Sequence, residues 1–491
     1  MLFSSTTNST LWDVWLYYEN ETHYLFYLAN SRPDRPWDGI GLATSSDGVH
    51  FDDHGMIITK ASDAEYLGAG HTWKVGDKYV FNFSESRNGT LEIFFAESED
   101  LIHWNRIPAE QSVSRSNSEW YADTTEISQQ RWDNIWANTD ASGDGYFGYV
   151  TAVAKDGPVG LRGTCASVTS KDGIVFTTGA PVIEPGSWPD RLEIGGVTKV
   201  GDQYYMFAAL AEVPLGLDWA KHHSQAVGGV YVMRSDTQEG PFELDTRQPP
   251  VLVSSLGHHT YFARFYPCGD ELLVAHHSLE SRGFIATVMP KMGTWMAPLK
   301  KAEIDEGILS LHWWAGNEAM LGRDLPRVTD LVEARLAQSL TPNADGSFTF
   351  EAPLYSHAML PFRYDFEKGV CIEATLRGSA YDNRAFAAGV LLEGDESWNG
   401  TAIVLDSTGK FEMGHTNGYS FWDEEGLNTA PLRAEGSRFR VLVRGTFVEV
   451  YIDDALIQCF ALDKIPHGRL GFVAAAGTVT VSDVRVRELS M

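Results

Sequence analysis

Five recurrences of one strand pattern, followed by a stretch with different patterning, predict an all-β chain. The expected architecture is a five-bladed β-propeller over residues 1–325, a linker over 326–340 and a concanavalin-like β-sandwich over 341–491. Three observations carry this: a repeated Ser-to-aromatic motif, a repeated aromatic-rich strand, and alternating apolar segments with little helical periodicity between them.

The Ser motif appears as Ser45-Ser-Asp-Gly-Val-His-Phe51, Ser98-Glu-Asp-Leu-Ile-His-Trp104 and Ser170-Lys-Asp-Gly-Ile-Val-Phe176, with a looser copy from Ser235 to Phe242. Alternating segments such as Ile40–Thr44 and Leu91–Ala96 precede the copies, which is the period of a half-buried strand. The aromatic strand recurs as His23–Leu28, Lys78–Phe83, Tyr146–Val150, Gln203–Phe207 and Glu271–Ala275. Gly76-Asp77, Gly201-Asp202 and Gly269-Asp270 introduce three of these. Recurrence at roughly 50 to 70 residues, each unit made of several short strands, matches the four-stranded blades of a propeller. Past Gly322–Val328 the pattern changes. Leu331–Gln338 is compatible with a short helix or a strand, and from about Thr341 come Val370–Leu376, Phe439–Arg444, Val448–Ile452 and Val479–Val486, short alternating strands suited to a sandwich.

Composition narrows the function. The 491 residues include 66 acidic against 38 basic side chains, a formal charge of −28. Phosphate-tracking proteins carry the opposite imbalance, so nucleic acid and anionic membranes are excluded as expected partners. With aromatics at 12% and 15 tryptophans, a neutral oligosaccharide or small glycoside is the better match. Sugar ring faces stack on aromatic planes, and sugar hydroxyls bond to carboxylates. Self-association into a homo-oligomer is compatible with these features. Cys165, Cys268, Cys371 and Cys459 lie far apart, without metal-site or disulfide spacing. The first residues show no basic region followed by an apolar run, and no stretch has membrane-span length. A cytoplasmic location is therefore expected, or a secreted one if a leader has been removed. Asn-X-Ser/Thr triplets at Asn8, Asn20, Asn82, Asn88 and Asn399 are no more than chance supplies.

Alignment of the blades on the tyrosine of the second strand singles out three acids. Asp13 lies eleven residues before Tyr24 and Glu193 eleven before Tyr204, while Asp133 lies thirteen before Tyr146 across a longer turn. Innermost strands line the axial channel of a propeller, so these carboxylates are expected to converge beside Trp12, Trp15, Trp132 and Ile194, partly desolvated. Two acids in such a funnel suit glycoside hydrolysis, one ionised and one protonated, with the third orienting sugar hydroxyls. The plainer reading of any single one is a strand-end carboxylate capping a turn. Further candidates for sugar contact are Trp37, Trp73 and Trp188 in loops or at strand entrances, His71 in blade two, and Arg191 beside Glu193. His259, of the His258-His259 pair, opens blade five. Each has a structural alternative, either packing between blades or holding a neighbouring carboxylate. His222-His223 and His276-His277 are expected to be structural, and Trp313-Trp314 to close the fifth blade.

Leu11-Trp-Asp-Val-Trp-Leu-Tyr-Tyr18 followed by His23-Tyr-Leu-Phe-Tyr-Leu28 resembles the opening of glycoside hydrolase family 32, the invertases, levanases and inulinases. Arg131-Trp-Asp133-Asn resembles that family's Arg-Asp-Pro motif, and Arg191-Leu-Glu193-Ile its Glu-Cys motif. Leu67-Gly-Ala-Gly-His-Thr72 sits at its Ser-Gly-Ser turn, Gly39–Ser45 at its Trp-Gly-His-Ala segment, and Phe447–Asp453 with Gly468–Phe472 in its C-terminal sandwich, so the likeness spans nearly the whole chain. The resemblance implies Asp13 as nucleophile, Asp133 as transition-state stabiliser and Glu193 as acid/base. Trp12 and Trp15, which flank Asp13, and Arg131, two residues before Asp133, are further expected substrate contacts. The expected activity is retaining, β-fructofuranosidase-like exo-hydrolysis without organic cofactor or metal. The departures lie next to the acids: Trp12, Val14-Trp-Leu, Asn134 and Ile194 replace family residues that shape the fructosyl pocket. Family 43 (arabinofuranosidases, xylosidases) uses five blades with acids in the same order, so an inverting hydrolase of that type is the alternative, with an axial ion near His258/His259 as in some of its members. A non-catalytic carbohydrate-binding propeller is a further alternative, disfavoured because all three acids are present.

Overall fold

The computed structural model describes residues 3–8, 11–32, 37–117, 119–122, 131–210, 228–254, 260–279, 294–325, 333–335, 339–381, 385–394, 399–416, 421–428, 431–462 and 464–490. They form two compact units, Met1–Asn317 and Glu318–Met491. Strand predominates, and no described helix is long and apolar enough to cross a membrane.

The first unit holds five antiparallel sheets. Blade one is β1 (Leu11–Glu19), β2 (Thr22–Ala29), β3 (Gly39–Ser45) and β4 (Asp52–Thr59). Blade two comprises β5 (Tyr66–Gly68), β6 (Thr72–Val75), β7 (Lys78–Arg87), β8 (Thr90–Ser98) and β9 (Asn105–Arg106), with β5 and β6 both paired to β7. Blade three is β10 (Trp132–Thr139), β11 (Tyr146–Val153), β12 (Gly163–Ser170) and β13 (Thr177–Pro181). In blade four, β14 (Glu193–Val200), β15 (Gln203–Leu210), β16 (Gly228–Ser235) and β17 (Glu243–Leu244) run in order, and β18 (Leu252–Ser254) pairs β16. Blade five has β19 (Thr260–Cys268), β20 (Glu271–Leu279), β21 (Thr294–Met296), β22 (Lys300–Asp305) and β23 (Ile308–Trp313), with β21 against β20. Each expected aromatic strand is thus the second strand of its blade.

The repeated motifs are turn chemistry. Asn20 and Glu21 both have positive φ, 50° and 58°, the two-residue turn whose twist suits a hairpin. Gly76, Gly201 and Gly269 carry φ near 60° at the matching turns. In the Ser motif, Asp47 Oδ1 accepts from the Val49 and His50 amides at 2.8 Å, and Ser45 Oγ accepts from Gly48 N at 2.9 Å. Asp100 with Ser98, and Asp172 with Ser170, repeat this arrangement between the third and fourth strands. The recurring Ser and Asp therefore satisfy turn amides that no strand partner reaches.

Contacts between consecutive blades form a closed ring. Trp15 Nε1 donates to Thr72 Oγ1 at 3.0 Å, Asn82 Nδ2 donates to the Ile135 carbonyl at 2.7 Å, and Ile194 N donates to Thr151 Oγ1 at 3.0 Å. Blade four approaches blade five so closely at Gly195 that a Cβ there would stand 2.0 Å from the Ala263 carbonyl oxygen. Tyr266 and His23 Nδ1, 2.6 Å apart, join blade five to blade one. Trp314 donates to Glu271 at 2.8 Å, consistent with its expected place in blade five.

An N-terminal clasp spans the same seam. Met296 N in β21 donates to the Phe3 carbonyl at 2.8 Å, while Ser5, Thr6 and Thr7 donate to Asp53 Oδ2 in β4.

The second unit is a two-sheet sandwich. One sheet includes Val370–Ala380, Ser437–Arg444, Phe447–Ile452 and Gly477–Leu489, and the other Ala387–Gly394, Gly400–Asp406, Lys410–Thr416 and Arg469–Ala475. Ile372, Leu376, Val441, Val450, Val390, Ile403 and Phe472 pack between them. The unit begins earlier than residue 341. Leu321–Asp324 pairs with Gly477–Leu489, and within the expected linker Glu333–Arg335 pairs with Ser356–Arg363, so these segments are sandwich strands. Leu331, Val332 and residues 336–338 lie outside the described residues.

Burial disfavours ionisation of Asp53, but hydrogen bonds from Tyr27, Ser5, Gly55 and Thr7 outweigh it and hold the carboxyl at about 2. A carboxyl depressed from about 3.9 stabilises the fold above that pH and loses the contribution as pH falls towards the folded value. Asp53→Asn is expected to destabilise the propeller by about 1–3 kcal/mol at neutral pH. Thermal unfolding should show the gap from wild type closing between pH 5 and 2, in proportion to this linkage; a gap independent of pH would refute the clasp.

Candidate active site

The innermost strands do not run as plain strands; each breaks its ladder at one level. Register shifts fall between Trp12 and Trp15 in β1, Asp133 and Ile135 in β10, Ile194 and Gly196 in β14, and Tyr261 and Arg264 in β19. In blade two the break is complete, leaving β5 and β6 on either side of Ala69–His71. A bulge inserts residues that oppose no single partner, bends the strand and re-aims its side chains. Backbone in the left-handed region marks them: Asp13 at φ 41°, Asn134 at 58° and Phe262 at 56°.

The acids lie in or beside these breaks. Asp133 pairs with Thr151 and Glu193 with Ala209, each partner being the fifth residue after the second-strand tyrosine. Asp13 sits within its bulge, between the Trp12–Leu28 and Trp15–Phe26 pairs, whose partners are the fourth and second residues after Tyr24. Equal spacing in sequence thus identifies corresponding blades without placing the three acids on one rung.

All three carboxyl groups interact electrostatically with one another, and Arg131 and Arg264 lie among them. Arg131 Nη2 donates to Glu193 Oε1 at 2.5 Å. Asp13 Oδ1 and Asp133 Oδ1 are buried, and neither meets a hydrogen-bond partner among the described residues. Burial pushes the Asp13 carboxyl well above the usual range, and Glu193 adds to this while Arg264 opposes it. Burial likewise raises Asp133, against Arg131 and a hydrogen bond from Ser84. Acids coupled in this way bind protons as a unit, which suits a site that must hold one proton and deliver it. Gly68 leaves room for the arrangement, since a Cβ there would come 2.6 Å from Asp133 Oδ1. The donor set is carboxylates already interleaved with guanidinium groups, better suited to sugar hydroxyls and proton transfer than to gripping a cation.

The aromatic and histidine candidates divide. Trp12 is buried next to Asp13 and meets Trp37 edge-on at 5.5 Å and His277 at 4.4 Å, so the three rings form one cluster. Trp15, expected as a substrate contact, is instead core: it is fully buried and stacks on Phe26 at 5.3 Å. Trp73 is likewise packing, its Nε1 donating to the Gly173 carbonyl at 3.0 Å and its ring edge-on to Phe95 and Phe176. His71 stacks on Trp136 at 3.9 Å, and burial, with Arg264, lowers it to about 3, so it is a neutral interior imidazole. Trp188 is buried edge-on to Tyr231. Arg191 is exposed, and a guanidinium on the Glu193 carboxylate is that of Arg131, 62 residues earlier in the chain and brought there by folding. His258 and His259 lie outside the described residues.

Two groups escaped the sequence reading. Arg264 is buried in the blade-five bulge, its guanidinium over the Phe262 ring at 4.3 Å. The blade alignment searched for acids, and a basic residue at that level gave no signal. Tyr66 has its hydroxyl raised by burial and by Asp133 and Asp13, although 39% of the residue is exposed, as fits a ring open to the mouth with its oxygen towards the acids. Its place just before Leu67-Gly-Ala-Gly was the only available hint.

Trp15→Ala and Trp73→Ala are therefore expected to act on stability, each costing about 3–5 kcal/mol in denaturant unfolding. A loss below about 1 kcal/mol would contradict their placement in the core.

Comparison with family models and with curated proteins returns no match. Solved structures do match along the whole chain. Sucrose-6-phosphate hydrolase from Lactobacillus gasseri aligns with TM-score 0.69 and 11% identity, covering 100% of this chain and 92% of that one. A Bombyx mori GH32 β-fructofuranosidase aligns with TM-score 0.67 and 10% identity, covering 99% and 93%. Fructan 1-exohydrolase IIa from Cichorium intybus gives TM-score 0.65 and 11% identity, covering 100% and 96%. At such identities the likeness is one of fold, and the chain has the all-β propeller-and-sandwich fold of these glycoside hydrolase family 32 structures.

Proposed function

We propose that this protein is a glycoside hydrolase that removes terminal β-fructofuranosyl units from neutral oligosaccharides, with retention of configuration. The observation that carries the reading is the convergence of Asp13, Asp133 and Glu193, from three different blades, into one buried and electrostatically coupled cluster. The fold likeness supports the sugar: a Bombyx mori enzyme of this fold is solved with sucrose and a Cichorium intybus one with 1-kestose.

In this reading Asp13 attacks the anomeric carbon as Glu193 protonates the departing oxygen. Glu193 then takes a proton from water, which displaces Asp13 from the sugar. Asp133 accepts hydrogen bonds from sugar hydroxyls, bonds that strengthen as positive charge develops on the ring. Arg131 orients Glu193, and Trp12 with Trp37 offers an apolar face to the ring.

Asp13→Asn and Glu193→Gln are each expected to lower kcat by at least roughly 10³-fold on sucrose or 1-kestose, with the fold intact. Fructose release surviving either change would sink the assignment. A panel adding α-L-arabinofuranoside and β-xyloside tests the sugar, and activity confined to those two would replace fructose. The acid limb of kcat/KM reports carboxyls that must be ionised, so their raised values place it above the ordinary carboxylate range. Because Arg131 lowers both Asp13 and Asp133, Arg131→Gln should move that limb to higher pH. An unmoved limb would separate Arg131 from the acids.

A further inference from the structure

One repeat position links each acid-bearing strand to the blade before it. Five residues beyond the second-strand tyrosine, or Leu272 in blade five, stand Ala29, Ser84, Thr151, Ala209 and His277. The blades that follow Ala29 and Ala209 carry no acid at the bulge, whereas those that follow Ser84 and Thr151 carry Asp133 and Glu193.

The two hydroxyls make the same bond. Asn134 N, directly after Asp133, donates to Ser84 Oγ at 3.2 Å, and Ile194 N, directly after Glu193, donates to Thr151 Oγ1 at 3.0 Å. Both hydroxyl residues are buried, Ser84 fully and Thr151 at 2% exposure. Both amides adjoin a ladder break, Asn134 outside the paired register and Ile194 at its edge, and the hydroxyl satisfies a donor that would be costly to bury unpaired. Asn82 reinforces the first bulge, accepting from Ile135 N at 2.9 Å and donating to the Ile135 carbonyl at 2.7 Å. Thr151 is also the cross-strand partner of Asp133, so it joins one acid's rung to the backbone of the other.

We propose that Ser84 and Thr151 are positioning residues, whose hydroxyls pin the backbone immediately after the acid of the next blade and so aim Asp133 and Glu193 into the site. Ser84 has a second role, because its hydroxyl also bonds the Asp133 carboxyl and favours its ionised form. The charged and titratable groups acting on Asp133 include Arg131, Glu193, Arg264, Asp13 and Tyr66, all of which remain when Ser84 is changed.

The inference rests on the hydrolase reading only for its kinetic arm. Thr151→Val should lower kcat by roughly ten- to a hundredfold with a much smaller change in KM, and Thr151→Ser, which keeps the hydroxyl, should recover most of it. Val and Ser equally active, or equally impaired, would overturn the positioning role. For Ser84→Ala the readout needs no substrate: carbon-13 NMR titration of aspartate-labelled protein, assigned with Asp133→Asn, should show the Asp133 carboxyl titrating at higher pH than in wild type. An unchanged titration would remove Ser84 from the arrangement. If Asp13→Asn and Glu193→Gln abolish turnover while Thr151→Val leaves it at the wild-type level, this inference fails and the hydrolase reading stands. If those acid variants stay active, the hydrolase reading fails and the Asp133 titration still decides the Ser84 contact.

Discussion

A strand sends successive side chains to opposite faces, so a strand beside a channel offers that channel only every second residue. The ladder break recurring in the innermost strands lifts this constraint, and the site depends on it. At the break the backbone turns, Asp13 and Asn134 enter the left-handed region, and an acid leaves the alternation of its strand. The same distortion frees amides from their ladder partners. Neighbouring blades meet that need with Asn82, Ser84 and Thr151, so contacts that hold the ring together also shape the site.

Electrostatics sets the second condition. Asp13 and Asp133 are buried beside Glu193, so they lose solvation and meet repulsion from neighbouring carboxylates, and each effect favours their neutral form. Arg131 and Arg264 partly offset this, the first through its bond to Glu193 and the second from the blade-five bulge. The balance leaves Asp13 and Asp133 raised without making either inert, a state suited to exchanging a proton among neighbours. Asp47, Asp100 and Asp172 show the opposite outcome. Each collects turn amides with its carboxylate, which lowers its pKa and commits it to structure.

The aromatic surplus divides on similar lines. Trp15, Trp73 and Trp188 fill the wedges between sheets, where a large flat side chain covers apolar area and its indole N–H can still find an acceptor. Trp12 lies beside Asp13 because it precedes that residue in the bulge, and it meets Trp37 edge-on.

Repetition made the five blades, their second strands and the three acids readable from the chain, because turn residues and strand alternation are local properties that recur at fixed offsets. The sandwich strands were readable for the same reason, but not where the unit begins, since Leu321–Asp324 and Glu333–Arg335 are strands only by virtue of distant partners. Which tryptophans pack between blades, that Arg131 contacts Glu193, and that Arg264 and Tyr66 join the cluster were all decided by folding. Those choices depend on ladder breaks and blade-to-blade approach, which bring together residues from separate sheets and leave no periodic trace in the sequence.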